Sequence, residues 1–188
     1  MPISGNFWLT QAQMEENASY IWQKLSPLGW SIEAVSGMLG NMQSESTINP
    51  GIWQNLDPTN PELGYGLVQW TPSTKYTSWC NEREIDPSSM DSALARIEYE
   101  LENNIQYYPT QSYPESFAEF KISKKSPYYL AGAFLYNYER PAKPNPALRG
   151  NQAQAWYTFL TGEPPHPTPG PIFLGNKMPW IYYMKRRI

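Results

Sequence analysis

The chain has 188 residues, a length typical of one domain with a tail and sufficient for a single hydrophobic core. Its net charge of −3 argues against a nucleic-acid partner, because binding to phosphates requires a basic surface. The one cysteine, Cys80, excludes an internal disulfide and a cysteine-cluster metal site, and no apolar run approaches the roughly twenty residues that membrane insertion requires.

The first fifty residues predict two amphipathic helices. Residues 1–10 lack a basic region followed by an apolar run, so we expect no secretory signal peptide and synthesis in a cytoplasm. Thr10 is a suitable N-cap for a helix that ends at about Leu25. Ser31 caps a second helix, whose apolar positions recur at spacings of three and four: Ile32, Val35, Met38, Leu39 and Met42.

Two glycines, Gly37 and Gly40, weaken the second helix intrinsically. They predict either the close packing of another element or space at the floor of a cleft. Residues 51–72 predict irregular structure with one or two short strands, in which Gly64 and Gly66 indicate a bulge or a backbone close to a ligand.

Apolar stripes in the second half of the chain predict four further helices, over residues 90–101, 114–120, 127–138 and 150–160. We expect the solvated side of the first of these to carry Glu98, Glu100 and Glu102. The predicted fold class is therefore mainly α (α+β), with about six helices and a small β element.

The composition changes after Gly162. Residues 1–162 are predicted to form the domain, residues 163–172 a stiff proline-rich linker, and residues 173–188 an aromatic and basic tail. The tail carries Phe173 and Trp180, and three consecutive basic residues, Lys185, Arg186 and Arg187, lie near its end. It is interpreted either as a disordered or strand-swapped segment, or as a docking peptide for another protein or an anionic polymer.

Glu45 is the candidate catalytic residue. It lies one heptad after Met38 and three residues after Met42, so it falls on the apolar face of the second helix. A carboxyl group on such a face loses hydration, which favours its protonated form and suits it to donate a proton. The alternative is a helix-terminal glutamate whose head reaches water.

The segment from Gly37 to Gly51, with Gln43-Ser44-Glu45-Ser46 at its centre, resembles the phage tail lysozyme family. Residues 53–57, 66–72 and 138–142 continue the resemblance, which covers about residues 7–162. It implies a lysozyme-like fold with the β element beside the cleft, a peptidoglycan glycosidase activity, and Glu45 as catalytic acid. It also implies a virion protein of the phage tail tip that acts on the host cell wall.

Elimination of other chemistries agrees with this implication. The only histidine, His166, lies in the predicted linker, so cysteine, serine and zinc hydrolases lack the imidazole that they need. No Ser-x-x-Lys pair occurs. Carboxylate acid–base catalysis remains, and no metal or cofactor is predicted.

Glycoside hydrolysis also requires help for the oxocarbenium-like centre. Asp57 is the preferred second carboxylate, with Glu62 and Glu139 as alternatives. Asp57 could instead cap the turn at Pro58, and Glu139 could form a structural ion pair with Arg140. A lytic transglycosylase would need no second carboxylate, because the 6-hydroxyl of the sugar attacks instead.

Gln69 is the preferred substrate-binding residue, because a neutral amide can donate to an N-acetyl carbonyl group without adding charge. Other candidates for the sugar subsites, with core packing as the alternative, are Tyr65, Trp70, Trp53, Tyr138 and Asn137. The predicted partners are peptidoglycan glycan strands and, through the C-terminal tail, other phage tail proteins. The functional alternatives are a lytic transglycosylase, a catalytically weak wall-binding or structural protein of the tail tip, and a free endolysin.

Overall fold

A computed structural model describes residues 1–163, which form seven α-helices. Their bounds are α1 Gln11–Leu25, α2 Ile32–Ser46, α3 Thr74–Asn81, α4 Met90–Glu102, α5 Phe117–Ile122, α6 Pro127–Phe134 and α7 Pro146–Thr161. Short 3₁₀ turns occupy Ser26–Leu28 and Gln54–Leu56, and a π-helical turn, Leu135–Glu139, continues α6. The mainly helical fold class is confirmed.

Helix α2 lies at the centre of the molecule. Eleven of its fifteen residues are buried, and it packs most extensively against α6 and α7. The predicted caps are present: the Thr10 side chain accepts from the Gln13 amide, and the Ser31 side chain accepts from the Ala34 amide. After Ser46 the chain enters the left-handed region at Thr47, which ends the helix.

The glycines of α2 lie where other helices approach most closely. A Cβ atom on Gly37 would lie 2.9 Å from the Leu130 Cβ atom of α6, and one on Gly40 would lie 2.8 Å from the Ala153 amide nitrogen of α7. Of the two predicted explanations for these glycines, close helix packing is the one that the structure supports.

Several predicted elements differ from the observed ones. Helix α3 is additional to the predicted elements, and α7 begins four residues before Gly150. In the described residues the β structure is limited to two antiparallel bridges, Trp53–Tyr65 and Tyr65–Trp70. The prediction that Glu100 is solvated is wrong, because only 1% of this residue is exposed.

Helix α7 ends at Thr161, with Gly162 as its left-handed C-cap. The predicted domain boundary at residue 162 stays a prediction. The predicted tail at residues 173–188 and the predicted linker, apart from Glu163, lie outside the described residues.

Candidate active site

Glu45 occupies the last turn of α2 and points towards α7. Its Oε1 atom accepts a hydrogen bond of 2.5 Å from Arg149 Nη2, and 21% of its side chain is exposed. Its Oε2 atom has no hydrogen-bond partner among residues 1–163. The arginine therefore fixes one carboxyl oxygen and leaves the other available to a ligand.

Arg149 is itself fixed by a hydrogen bond to the backbone of α2. Its Nη1 atom donates to the Asn41 carbonyl of α2 over 2.5 Å, and 10% of its side chain is exposed. It lies in the first turn of α7, where the Asn145 side chain accepts from the Leu148 amide. The sequence analysis did not identify this partner, since 104 residues separate Arg149 from Glu45.

Glu139 is the second carboxyl group of this region. It ends the π-helical turn, and its Oε1 atom is enclosed without a hydrogen-bond partner. Burial raises the pKa of this carboxyl well above its ordinary value, the negative charge of Glu45 raises it further, and the positive charge of Arg149 opposes the shift. The protonated form of Glu139 is therefore favoured relative to that of an exposed glutamate.

The predicted ion pair between Glu139 and Arg140 is absent from the described residues. Arg140 Nη1 instead donates to the carbonyl groups of Gln106, over 2.7 Å, and Asn137, over 2.5 Å. The Arg140 guanidinium therefore binds these carbonyl groups in place of the Glu139 carboxyl, from a residue whose backbone is left-handed.

A cavity of about 260 Å³, here called the cleft cavity, adjoins Glu139. Its lining residues come from the loop before α3, from α3 itself, from the segment after α4 and from the π-helical turn. They are Val68, Gln69, Trp70, Thr71, Lys75, Gln106, Tyr138, Glu139 and Arg140. Three of the predicted substrate-binding residues, Gln69, Trp70 and Tyr138, therefore line one cavity.

Gln69 contributes an acceptor to the cleft cavity. Its Nε2 atom donates to the carbonyl groups of Ile52, over 3.2 Å, and Gly66, over 2.9 Å. These bonds fix the loop that carries Gln69, and they leave its Oε1 atom without a hydrogen-bond partner among residues 1–163. The predicted donation from this amide to an N-acetyl carbonyl group would compete with both of them.

The aromatic candidates belong mainly to the core. Tyr65, Trp70 and Tyr138 are at most 4% exposed, and the ring of Trp70 stacks on that of Tyr76 with 4.2 Å between centroids. Trp53 is partly exposed and lies 4.6 Å from the Tyr65 ring centroid. Trp70 and Tyr138 can therefore form only the floor of the cleft cavity, whereas Trp53 and Tyr65 do not line it.

Asn137 and Asp57 both make local structural contacts. The fully buried Asn137 side chain accepts from the Thr110 amide over 3.1 Å and donates to the Tyr113 carbonyl over 2.8 Å. The Asp57 carboxylate accepts from the hydroxyl and amide groups of Thr59, which lowers the pKa of Asp57. Neither residue lines the cleft cavity, and neither does the exposed Glu62.

Glu100 is a buried residue that binds two side chains of the cavity floor, Trp70 and Tyr138. It accepts from Trp70 Nε1 over 3.0 Å, from Arg96 Nε over 2.9 Å, and from the hydroxyl group of Tyr138. Burial raises the pKa of Glu100, against the opposing effects of the Tyr138 hydrogen bond and the Arg96 charge. Its sequence position three residues after Ile97, on the apolar stripe of α4, is the signal that could have identified it.

Among residues 1–163, no group of three or more histidine, cysteine, aspartate or glutamate side chains could hold a metal ion. Within the same residues, no helix has both the length and the apolar character needed to cross a membrane.

Comparison with known proteins relates the chain to one family. Residues 16–160 match the family model described as phage tail lysozyme. The chain is also 51% identical over 163 residues to "Morphogenesis protein 1" of Bacillus phage B103. That alignment covers 87% of this chain and 44% of the relative, so the chain spans less than half the length of the relative that it matches.

Proposed function

This chain belongs to the phage tail lysozyme family, and from that membership we propose that it is a peptidoglycan glycosidase with Glu45 as its general acid. It cleaves the bond between N-acetylmuramic acid and N-acetylglucosamine. The observation that carries this proposal is the arrangement of Glu45, which Arg149 holds by one oxygen and whose charge acts on Glu139, a lining residue of the cleft cavity.

In this mechanism the protonated form of Glu45 reacts, and its Oε2 atom donates the proton to the glycosidic oxygen as the bond to the anomeric carbon breaks. Arg149 orients the carboxyl group by retaining Oε1. Water adds to the anomeric carbon and its proton passes to the Glu45 carboxylate, so the acid is regenerated and the new chain end is a reducing sugar. Trp70, Tyr138 and Gln69 are the contacts that the cleft cavity offers to the sugar ring.

A lytic transglycosylase reaction is the second candidate, and the state of the other carboxyl groups favours it. Burial raises the pKa of Glu139 and so disfavours its ionised form, and the Asp57 carboxylate is bonded to Thr59. Among the described residues that line the cleft cavity, Glu139 is the one aspartate or glutamate, so a second carboxylate for hydrolysis is disfavoured there. A transglycosylase needs none, because the 6-hydroxyl of muramic acid attacks the anomeric carbon.

Mass spectrometry of digested sacculi tests both candidates. Reducing muramic ends indicate hydrolysis, and anhydro-muramic ends indicate transglycosylation. Glycan binding without released fragments would contradict both and would favour a wall-binding or structural protein.

The setting that we propose is the phage tail tip, where the enzyme helps the virion to penetrate the host wall. The family description and the word "Morphogenesis" in the relative's name support a virion component. Detection of the chain in purified virions tests this setting. Its absence from virions, together with its presence in the lysate, would indicate a free endolysin.

A further inference from the structure

The cleft cavity contains two cations without an acidic partner. Residues 1–163 hold ten lysines and arginines, and seven of them pair with a carboxylate within 4.0 Å. Two of the other three, Lys75 and Arg140, line the cleft cavity, and the third is Lys143. Positive charge without a carboxylate partner among the described residues is thus concentrated in the cavity that Glu139 also lines.

The two unpaired cations of the cleft cavity belong to a domain whose net charge is negative. Residues 1–163 carry seventeen aspartates and glutamates against the ten basic residues, so the domain as a whole repels anions. Glu139 forms no ion pair with Lys75 or Arg140 among the described residues, and burial raises its pKa and so disfavours the charged form that would neutralise them. The cleft cavity is therefore a local positive region on an acidic domain.

Arg140 is fixed in a position from which it can bind a ligand. Its Nη1 atom donates to two carbonyl groups, and its guanidinium lies 4.7 Å from the centroid of the Tyr108 ring. Its Nη2 and Nε atoms have no hydrogen-bond partner among the described residues. Lys75, which is exposed on α3, adds a second, more flexible cation to the same cavity.

We propose that Lys75 and Arg140 form a carboxylate-binding subsite that recognises the acidic substituent of a muramyl residue. This inference rests on the proposed glycan substrate. The carboxylate is that of the lactyl group on a strand without peptides, or that of the stem peptide on an intact strand. The subsite distinguishes such strands from a neutral N-acetylglucosamine polymer of the same backbone.

Binding by the full chain carrying Glu45→Gln tests the subsite without cleavage. Three probes are compared by calorimetry: neutral chitohexaose, a peptide-free muramyl glycan of equal length, and the same glycan with stem peptides. Adding Lys75→Gln should weaken binding of the acidic glycans by about two- to fivefold, as expected for an exposed charge pair. Binding of chitohexaose should not change.

Lys75→Arg should bind the acidic glycans with the affinity of the chain that retains Lys75, because arginine keeps the positive charge. If Lys75 acted only through a structural contact, arginine would not restore the affinity. Lys143→Gln is the matched control, since it removes an exposed, unpaired lysine outside the cavity. A loss confined to the stem-bearing glycan identifies the peptide carboxylate, and a loss shared with the peptide-free glycan identifies the lactyl group.

Equal weakening for chitohexaose, an equal effect of Lys143→Gln, or no effect of Lys75→Gln would overturn the subsite. Release of reducing ends by the wild-type chain is measured separately. A wild-type chain that discriminates between the probes but releases no fragments would refute the glycosidase and leave the subsite standing.

Discussion

Replacing Glu45 by glutamine removes the exchangeable proton while preserving the shape of the side chain. General-acid catalysis contributes about 10²–10⁴-fold to a rate, so we expect glycan cleavage to fall at least about a hundredfold. The fold should persist, because glutamine retains an acceptor oxygen for Arg149 Nη2.

The effect of Glu45→Gln on the free energy of unfolding depends on the burial of the ion pair between Arg149 and Glu45. Their side chains are 10% and 21% exposed, respectively. A hydrogen bond between charged groups contributes about 1.5–3 kcal/mol, and a neutral acceptor about half as much. We therefore expect a loss of about 1 kcal/mol, which lowers the Tm of a domain of this size by about 2–4 °C.

The assay combines release of reducing ends from purified sacculi with calorimetric melting. Glu33→Gln is a matched control on the same helix, because Glu33 pairs with Lys124 over 3.1 Å and lies outside the cleft cavity. It should lose no activity. Near wild-type cleavage by a folded Glu45→Gln protein would refute Glu45 as the acid.

Three further predictions follow from the site. Burial raises the folded-state pKa of Glu139 above the unfolded value of about 4.3, so this group destabilises the fold increasingly as pH rises above that value. Glu139→Gln should therefore raise the Tm by at least about 2 °C at pH 7 and by less at pH 4, and a Tm difference independent of pH would contradict this. Glu100→Gln should lower the free energy of unfolding in urea by about 2 kcal/mol, since Arg96 loses its buried charge partner, and an unchanged midpoint would count against that role. Glycan cleavage should survive EDTA, whereas activity that is lost and then restored by zinc would reveal a metal site.

Most helices could be predicted because their signals are local. Thr10 and Ser31 are caps that the sequence displays, and the apolar stripes of α2 and α4 have helical spacing. Helix α3 was missed because its eight residues give too short a stripe, and its Tyr76 and Trp79 belong to an aromatic stack that only the folded chain assembles.

The candidate site could be predicted only in part. Glu45 and Gln69 lie in recognisable motifs, so the sequence identified them, although their roles remain predictions. Arg149 and Glu100 act through partners from distant segments, such as Tyr138, which is 38 residues from Glu100. The spacing of Glu100 from Ile97 indicates that its side chain is inward, but no local pattern indicates which residues it contacts.

The glycines of α2 connect the packing of the helices to the geometry of the site. Each lowers the intrinsic stability of the helix by about 1 kcal/mol relative to alanine. A side chain at Gly40 would meet the backbone of Arg149 and Ala153, so α7 could not approach α2 as closely as it does. That approach brings the Arg149 guanidinium within reach of both the Asn41 carbonyl and the Glu45 carboxylate. The orientation of the proposed acid therefore depends on a glycine five residues before it, whose intrinsic cost is offset by the contact between the two helices.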